Sequence, residues 1–226
     1  MASAVLLGMV IMFAVVRNND RQVFSPIGYS PFTLVIDAGH GGEDGGAVTA
    51  SGAKESSINL AIAQRLDMIM GLCGVPTVML RSTDMSLHSA GANTIREKKV
   101  SDLHNRTEKI NGVENAILIS IHQNSFSDSR YKGAHVFYAK TEKSQQFAEQ
   151  TQEILRGLDK GNERVAALIY GSIYVMNHID CPAILVECGF LSNPEEALLL
   201  QTPGYQLELA TALAASYLQF QHLIKG

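Results

Sequence analysis

The chain lacks a disulfide framework, any long block of like charge, and the short motifs that bind phosphates or set zinc on a helix. It has three cysteines, Cys73, Cys181 and Cys188, an odd count that cannot pair completely. If Cys181 to Cys188 runs as a strand, its ends lie roughly 20 Å apart. A disulfide needs Cα atoms within about 7 Å. All three cysteines are therefore read as small buried hydrophobes. Net charge is −4, so the basic face that nucleic-acid phosphates require is missing. Arginines and aromatics do not interleave as in single-strand binders, and no nucleic-acid partner is expected. GxGxxG and the P-loop pattern are absent, which argues against a dinucleotide or nucleotide site. HExxH is absent too, so any metal site must be assembled from distant segments. No internal repeat or low-complexity tract appears.

What is present is a chain of 226 residues, enough for one domain with a sizeable core. Hydrophobic residues at 46% against 18% charged place it among globular rather than disordered chains. Ala2 to Val16 is uncharged and apolar apart from Ser3, and Arg17, Asp20 and Arg21 follow at once. Such a run of about fifteen residues fits a signal h-region or a short signal-anchor. Neither a basic segment ahead of it nor a clear cleavage site is present. The abrupt onset of charge favours export or anchoring over a buried helix, which would place the rest of the chain outside the cytoplasm. Residues 1–17 are thus expected to be a signal-anchor or signal peptide. Residues 18–32, with Pro26, Gly28 and Pro31, are expected to be a linker, and residues 33–226 a single catalytic domain.

Beyond the linker, apolar runs alternate with helical periods. Strands are expected at Thr33–Asp37, Thr77–Leu80, Ala116–Ile121, Gly133–Ala139 and Ala183–Val186. Helices are expected at Ser56–Met70, Arg106–Asn111, Ser144–Arg156, Asn162–Tyr170 and Glu195–Ile224. Ser82–Asn105 reads as a long polar stretch, partly loop. This alternation implies an α/β fold: an open, mostly parallel twisted sheet with helices on both faces. Ligands then bind at the carboxyl ends of the strands.

Three of the apolar runs end in a residue with chemistry: TLVIDAGH in His40, AILISIH in His122, and AILVE in Glu187. Around His40, five glycines in the nine residues Gly39 to Ala47 let the backbone turn tightly and approach a bound group. Glu55 opens the next helix. Alone it would be an electrostatic cap, but beside two strand-end histidines it becomes a third ligand. Two histidines and a carboxylate with an open fourth position form a catalytic zinc arrangement, and the same donors serve non-haem iron. Asp37 and Asp44 flank His40, and either is a candidate to orient its ring; Asp37 is equally a cap at its strand end. His135 alternates within a strand and is a candidate to face the pocket. His88, His104, His178 and His222 read as surface or linker residues.

Several segments, taken in order, resemble the N-acetylmuramoyl-L-alanine amidases of the Amidase_3 family. They are VIDAGHGGEDGGA at Val35–Ala47, Lys54-Glu55 leading to Asn59-Leu60, RSTD at Arg81–Asp84, Arg106–Asn111, SIHQN at Ser120–Asn124 and LVECGFLSNPEE at Leu185–Glu196. The resemblance spans nearly the whole chain from Thr33. It implies a zinc enzyme, with one Zn²⁺ per chain held by His40, Glu55 and His122. Glu187 would be the general acid/base, with its carboxyl partly buried. The substrate would be peptidoglycan, cut between the lactyl group of N-acetylmuramic acid and L-alanine. Two departures stand out: Gln123 replaces the usual alanine, and Ser86–His104 is longer than usual, a stretch that could meet an activator protein at the membrane. With a short N-terminal membrane segment and no wall-binding repeats, the plan looks like the germination-specific amidases of spore cortex. Two other readings stay open: an exported zinc peptidase acting within the stem peptide, and a non-catalytic wall-binding protein.

Overall fold

The computed structural model describes residues 30–171 and 173–225. The expected signal or anchor segment, 1–17, and most of the expected linker, 18–29, lie outside the described residues. Among the described residues, no helix is long and apolar enough to cross a membrane. At the end of the expected linker, Ser30 is buried and its hydroxyl is 2.6 Å from Gln221 Oε1. Phe32 packs against the core.

Six strands form one sheet in the order β2-β1-β3-β6-β4-β5. They are β1 (Thr33–Ala38), β2 (Thr77–Met79), β3 (Ala116–Asn124), β4 (His135–Tyr138), β5 (Ala167–Leu168) and β6 (Ala183–Phe190). β1, β2, β3 and β6 are parallel, and β4 joins β6 antiparallel. The central strands are covered on both faces, which is why their sequences are continuous apolar runs rather than alternating ones. Leu34, Ile36, Ile117, Ile119, Ile184 and Val186 face one layer; Val35, Leu118 and Leu185 face the other.

The first layer holds α1 (Glu55–Leu72), α3 (Glu142–Arg156) and α6 (Pro203–Lys225). α1 presents Ile58, Ile62, Leu66 and Met70, each one turn apart and each buried. The second layer holds α2 (Ile95–Asn111) and the one-turn α4 (Tyr174–Asn177), through Ile110, Val175 and Met176. α5 (Pro194–Leu200) follows β6. The architecture is the α/β sheet expected from the sequence.

β3 and β6 run on past His122 and Glu187, to Asn124 and Phe190, so these two residues lie within their strands rather than at the ends. Three expected helices differ as well. α2 begins at Ile95 rather than Arg106. Its first turn is fixed by a capping box: Glu97 N–H donates to Thr94 Oγ1 at 3.2 Å, and Thr94 N–H to Glu97 Oε2 at 2.9 Å. The segment Asn162–Tyr170 forms no helix. Its apolar stretch pairs with β4 as an edge strand, Phe137 with Ala167 and Tyr138 with Leu168. The expected helix Glu195–Ile224 is two helices, because Pro203 lacks the N–H that would continue α5 and instead opens α6. All three cysteines are free; Cys188 is buried, but Cys73 and Cys181 are only partly so.

Candidate active site

The carboxyl ends of β1, β3 and β6 lie side by side. Ala38 is in register with Ile121, and His122 with Glu187. The chain therefore leaves β1 through Gly39 and delivers His40 beside His122, with ring centroids 5.0 Å apart. Gly39 has to be glycine, since a Cβ there would fall 2.2 Å from the His122 ring.

His40 has φ of 62°, in the left-handed region that residues with a side chain seldom occupy. Two buried arginines hold this turn. Arg106 Nη2 donates to His40 O at 2.7 Å, and Arg81 donates to Ala38 O at 2.8 Å and Gly39 O at 3.0 Å. Arg106 also binds Asp37 and, at 2.6 Å, Asp102. Of the two acids flanking His40, Asp44 is the one on the imidazole, its Oδ2 lying 3.0 Å from Nδ1. Asp37 is bonded to Arg106 and to the Ser120 hydroxyl at 2.7 Å. Burial alone would push the Asp37 carboxyl up, but Arg106, the His122 charge and the Ser120 hydrogen bond outweigh it and hold the pKa below the usual range.

Glu55 arrives from the first residue of α1. Its Oε2 accepts from Ala47 N–H at 2.9 Å. Its Oε1 lies 3.2 Å from His40 Nε2 and 3.1 Å from His122 Nδ1. Gly46, with φ of 66°, leaves the space, because a Cβ there would sit 2.5 Å from Glu55 Oε2. Burial opposes charge on Glu55, yet the two imidazoles outweigh it and hold the carboxylate well below its ordinary range. On the His40 ring burial is likewise overcome, by Asp44 and Glu55, and the pKa rises to about 9.

The donor set fits a metal ion. The ligand atoms of His40, Glu55 and His122 all lie within 4.8 Å of one another. Spacings of 3.2 and 3.1 Å approach the roughly 3.3 Å edge of a tetrahedron built on zinc bonds of about 2.0 Å. Two imidazoles and one carboxylate are also a ligand chemistry that zinc accepts. Glu187 stands next to this set. Its Oε2 is buried with no hydrogen-bond partner among the described residues. Burial raises its pKa to about 7, the Glu55 charge adding to that effect and the two histidines opposing it.

A cleft of about 500 Å³ runs from this corner between α2 and α4. It is lined by His40, His122 and Glu187, by Leu103 from α2 and by Tyr174 and Met176 from α4. The structure thus brings together all four residues singled out from the strand ends and the first helix. His135 is not among the cleft residues; its Nε2 instead meets Val165 O at 3.0 Å. Sequence reasoning assigned no role to Asn59, Arg81 or Arg106. Asn59 had a signal, being one helical turn after Glu55, and so had Arg106, one turn after Asp102, whereas Arg81 grips main-chain carbonyls, which leave no trace in composition.

Fold and site together define an enzyme of the α/β class that works at the carboxyl edge of its sheet. The chain belongs to the Amidase_3 family, N-acetylmuramoyl-L-alanine amidase, whose sequence profile matches residues 34–218. It is 34% identical over 222 residues to the germination-specific N-acetylmuramoyl-L-alanine amidase of Bacillus subtilis (strain 168), covering 95% of this chain and 92% of that protein. To the amidase LytC of the same organism it is 29% identical over 188 residues, 80% of this chain and 34% of LytC. Among solved structures, the CwlD amidase from Clostridioides difficile, in complex with the GerS lipoprotein, matches with a TM-score of 0.82 and 35% identity. That match covers 85% of this chain and 99% of the other. An N-acetylmuramoyl-L-alanine amidase from Clostridium difficile 630 matches at 0.73 and 26%, covering 84% and 97%.

Proposed function

We propose that this chain is a zinc-dependent amidase of peptidoglycan that removes stem peptides, cutting between the lactyl group of N-acetylmuramic acid and L-alanine, during spore cortex maturation. The observation that carries the reading is the unpaired, raised carboxyl of Glu187 beside a convergent His–Glu–His donor set, in a chain of the amidase family.

His40, Glu55 and His122 would hold one zinc ion per chain. When bound, the ion supplies Lewis acidity, polarising the scissile carbonyl and lowering the pKa of water toward about 7. Glu187 takes the proton of the attacking water at its free Oε2 and passes it to the alanine nitrogen as the amide breaks. A pKa raised to about 7 suits both halves of that transfer, since the group is then neither too weak a base nor too weak an acid. Asp44 fixes the His40 ring so that Nε2 faces the other ligands. The cleft volume of about 500 Å³ is in the range of small-molecule sites and leaves room for a sugar–peptide junction.

The cortex assignment rests on the near full-length likeness to a germination-specific amidase. Location outside the cytoplasm, secreted or membrane-anchored, rests on the proposed substrate and on the apolar residues 2–16. The linker assignment, ending at residue 32, and the catalytic domain from residue 33 belong to the same proposal. Because the CwlD amidase was captured with a lipoprotein, an activator at the membrane is proposed for this chain too.

The test is product analysis with and without metal. Incubated with spore peptidoglycan, the zinc-loaded protein should release intact stem peptides with free L-alanine amino ends. A chelator should abolish release, and zinc should restore it. Fragments cut further along the peptide would make the enzyme a peptidase instead. Binding without any release, by zinc-loaded protein with its activator, would make it a wall-binding protein.

A further inference from the structure

The three segments that carry the donor set are tied together by two buried carboxamides. Asn59 on α1 is fully buried, one turn beyond Glu55. Its Nδ2 donates to Glu55 Oε1 at 3.3 Å and to Gly39 O, next to His40, at 3.2 Å. Its Oδ1 accepts from Gln123 Nε2 at 3.1 Å. Gln123 follows His122 on β3, where the register with β6 shifts. Its main-chain N–H leaves the ladder and donates to Glu55 Oε1 at 3.1 Å. One Asn–Gln pair thus touches the loop of His40, the carboxylate of Glu55 and the strand of His122.

The direction of each amide is set by this arrangement. Glu55 Oε1 and Gly39 O can only accept, so Asn59 turns its N–H groups toward them and its oxygen toward Gln123, which donates and holds it there. Alanine at position 123 would leave Asn59 Oδ1 buried without a donor, so the Gln123 side chain completes a contact that packing alone could not supply.

We infer that the Asn59–Gln123 pair is a positioning device for the metal ligands, and that Gln123 tightens zinc binding by aiming Asn59 at Glu55. This rests on the zinc reading of His40, Glu55 and His122. Removing Gln123 leaves Asn59 Oδ1 without its donor, so Asn59 is free to rotate and Glu55 loses a fixed hydrogen bond. Partners of this kind around metal ligands typically change metal affinity by 10–100-fold.

The experiment is a competitive chelator titration of the full chain, with zinc dissociation rates and apo-protein melting curves in parallel, for the parent, Gln123→Ala, Gln123→Leu, Asn59→Ala and the double alanine variant. The expected result is about a 10-fold or greater loss of affinity, with faster zinc release, in each Gln123 variant. The double variant should lose little more than Asn59→Ala, because the two act as a unit. Gln123→Leu keeps the volume, so a residue that only packs would tolerate it with zinc affinity at the parent value. A parent that binds zinc one to one and Gln123 variants that bind equally well would overturn this inference alone. A parent that binds no zinc would overturn the reading of the site and the inference with it.

Discussion

Arg106→Met removes a buried cation while keeping most of the side-chain volume. Arg106 is 2% exposed. It donates to Asp37, to Asp102 at 2.6 Å, to Ala38 O at 3.1 Å and to His40 O at 2.7 Å. The variant leaves the Asp37 carboxylate buried with Ser120 as its remaining side-chain partner. Breaking a buried pair in this way costs about 3–5 kcal/mol, and for a domain of this size that lowers Tm by roughly 6–20 °C. The pH dependence gives a second readout. In the parent, the folded pKa of Asp37 is lowered. Its contribution is therefore complete above the ordinary carboxylate value near about 4 and is lost as pH falls through the lowered folded value. In the variant, burial is no longer opposed by Arg106, so the folded pKa rises and acid relieves the penalty. Urea unfolding at about pH 7 and about pH 4.5 should show a deficit that narrows at the lower pH. A deficit under about 1 kcal/mol at neutral pH, or one that widens in acid, would refute the assignment of Arg106 as the cation that compensates Asp37.

Gly39→Ala should drive a methyl into the His122 ring, from which its Cβ would be 2.2 Å away. Zinc affinity should fall at least about 10-fold, and a chelator competition showing no change would count against His122 as a ligand. Thr94→Ala should cost about 1 kcal/mol through loss of the capping box. Hydrogen exchange should speed up in the first turn of α2, and unchanged protection there would mean that the cap is not what fixes the helix start. His40→Ala should lose metal as well as activity, and normal occupancy in a metal assay would remove His40 from the ligand set.

The site was legible because the sheet is covered on both faces. The buried runs of β1, β3 and β6 are largely apolar, so His40 just beyond β1, and His122 and Glu187 within β3 and β6, broke the pattern visibly. Glu55 was legible only by association, since an acid in a first helical turn is common. Hydrophobic period could not find the start of α2, whose buried residues are Arg106, Thr107 and Ile110. Thr94 and Glu97 carried the signal there. The run around Ala167–Leu168 fits helix and edge strand alike, and only its pairing with β4 decides. Which acid orients His40 depends on the left-handed turn at that residue, a backbone conformation that residue identity does not reveal. The Asn59–Gln123 contact joins residues 64 positions apart and is set by how α1 lies on β3.

The most direct test of the central claim is mass spectrometry of muropeptides released by the zinc-loaded parent and by Glu187→Gln, with zinc content measured on both. The expected result is intact stem peptides from the parent, and from the variant full zinc occupancy with turnover reduced by at least about 10²-fold. Turnover retained in Glu187→Gln would contradict its role as the acid/base, whatever metal the site holds.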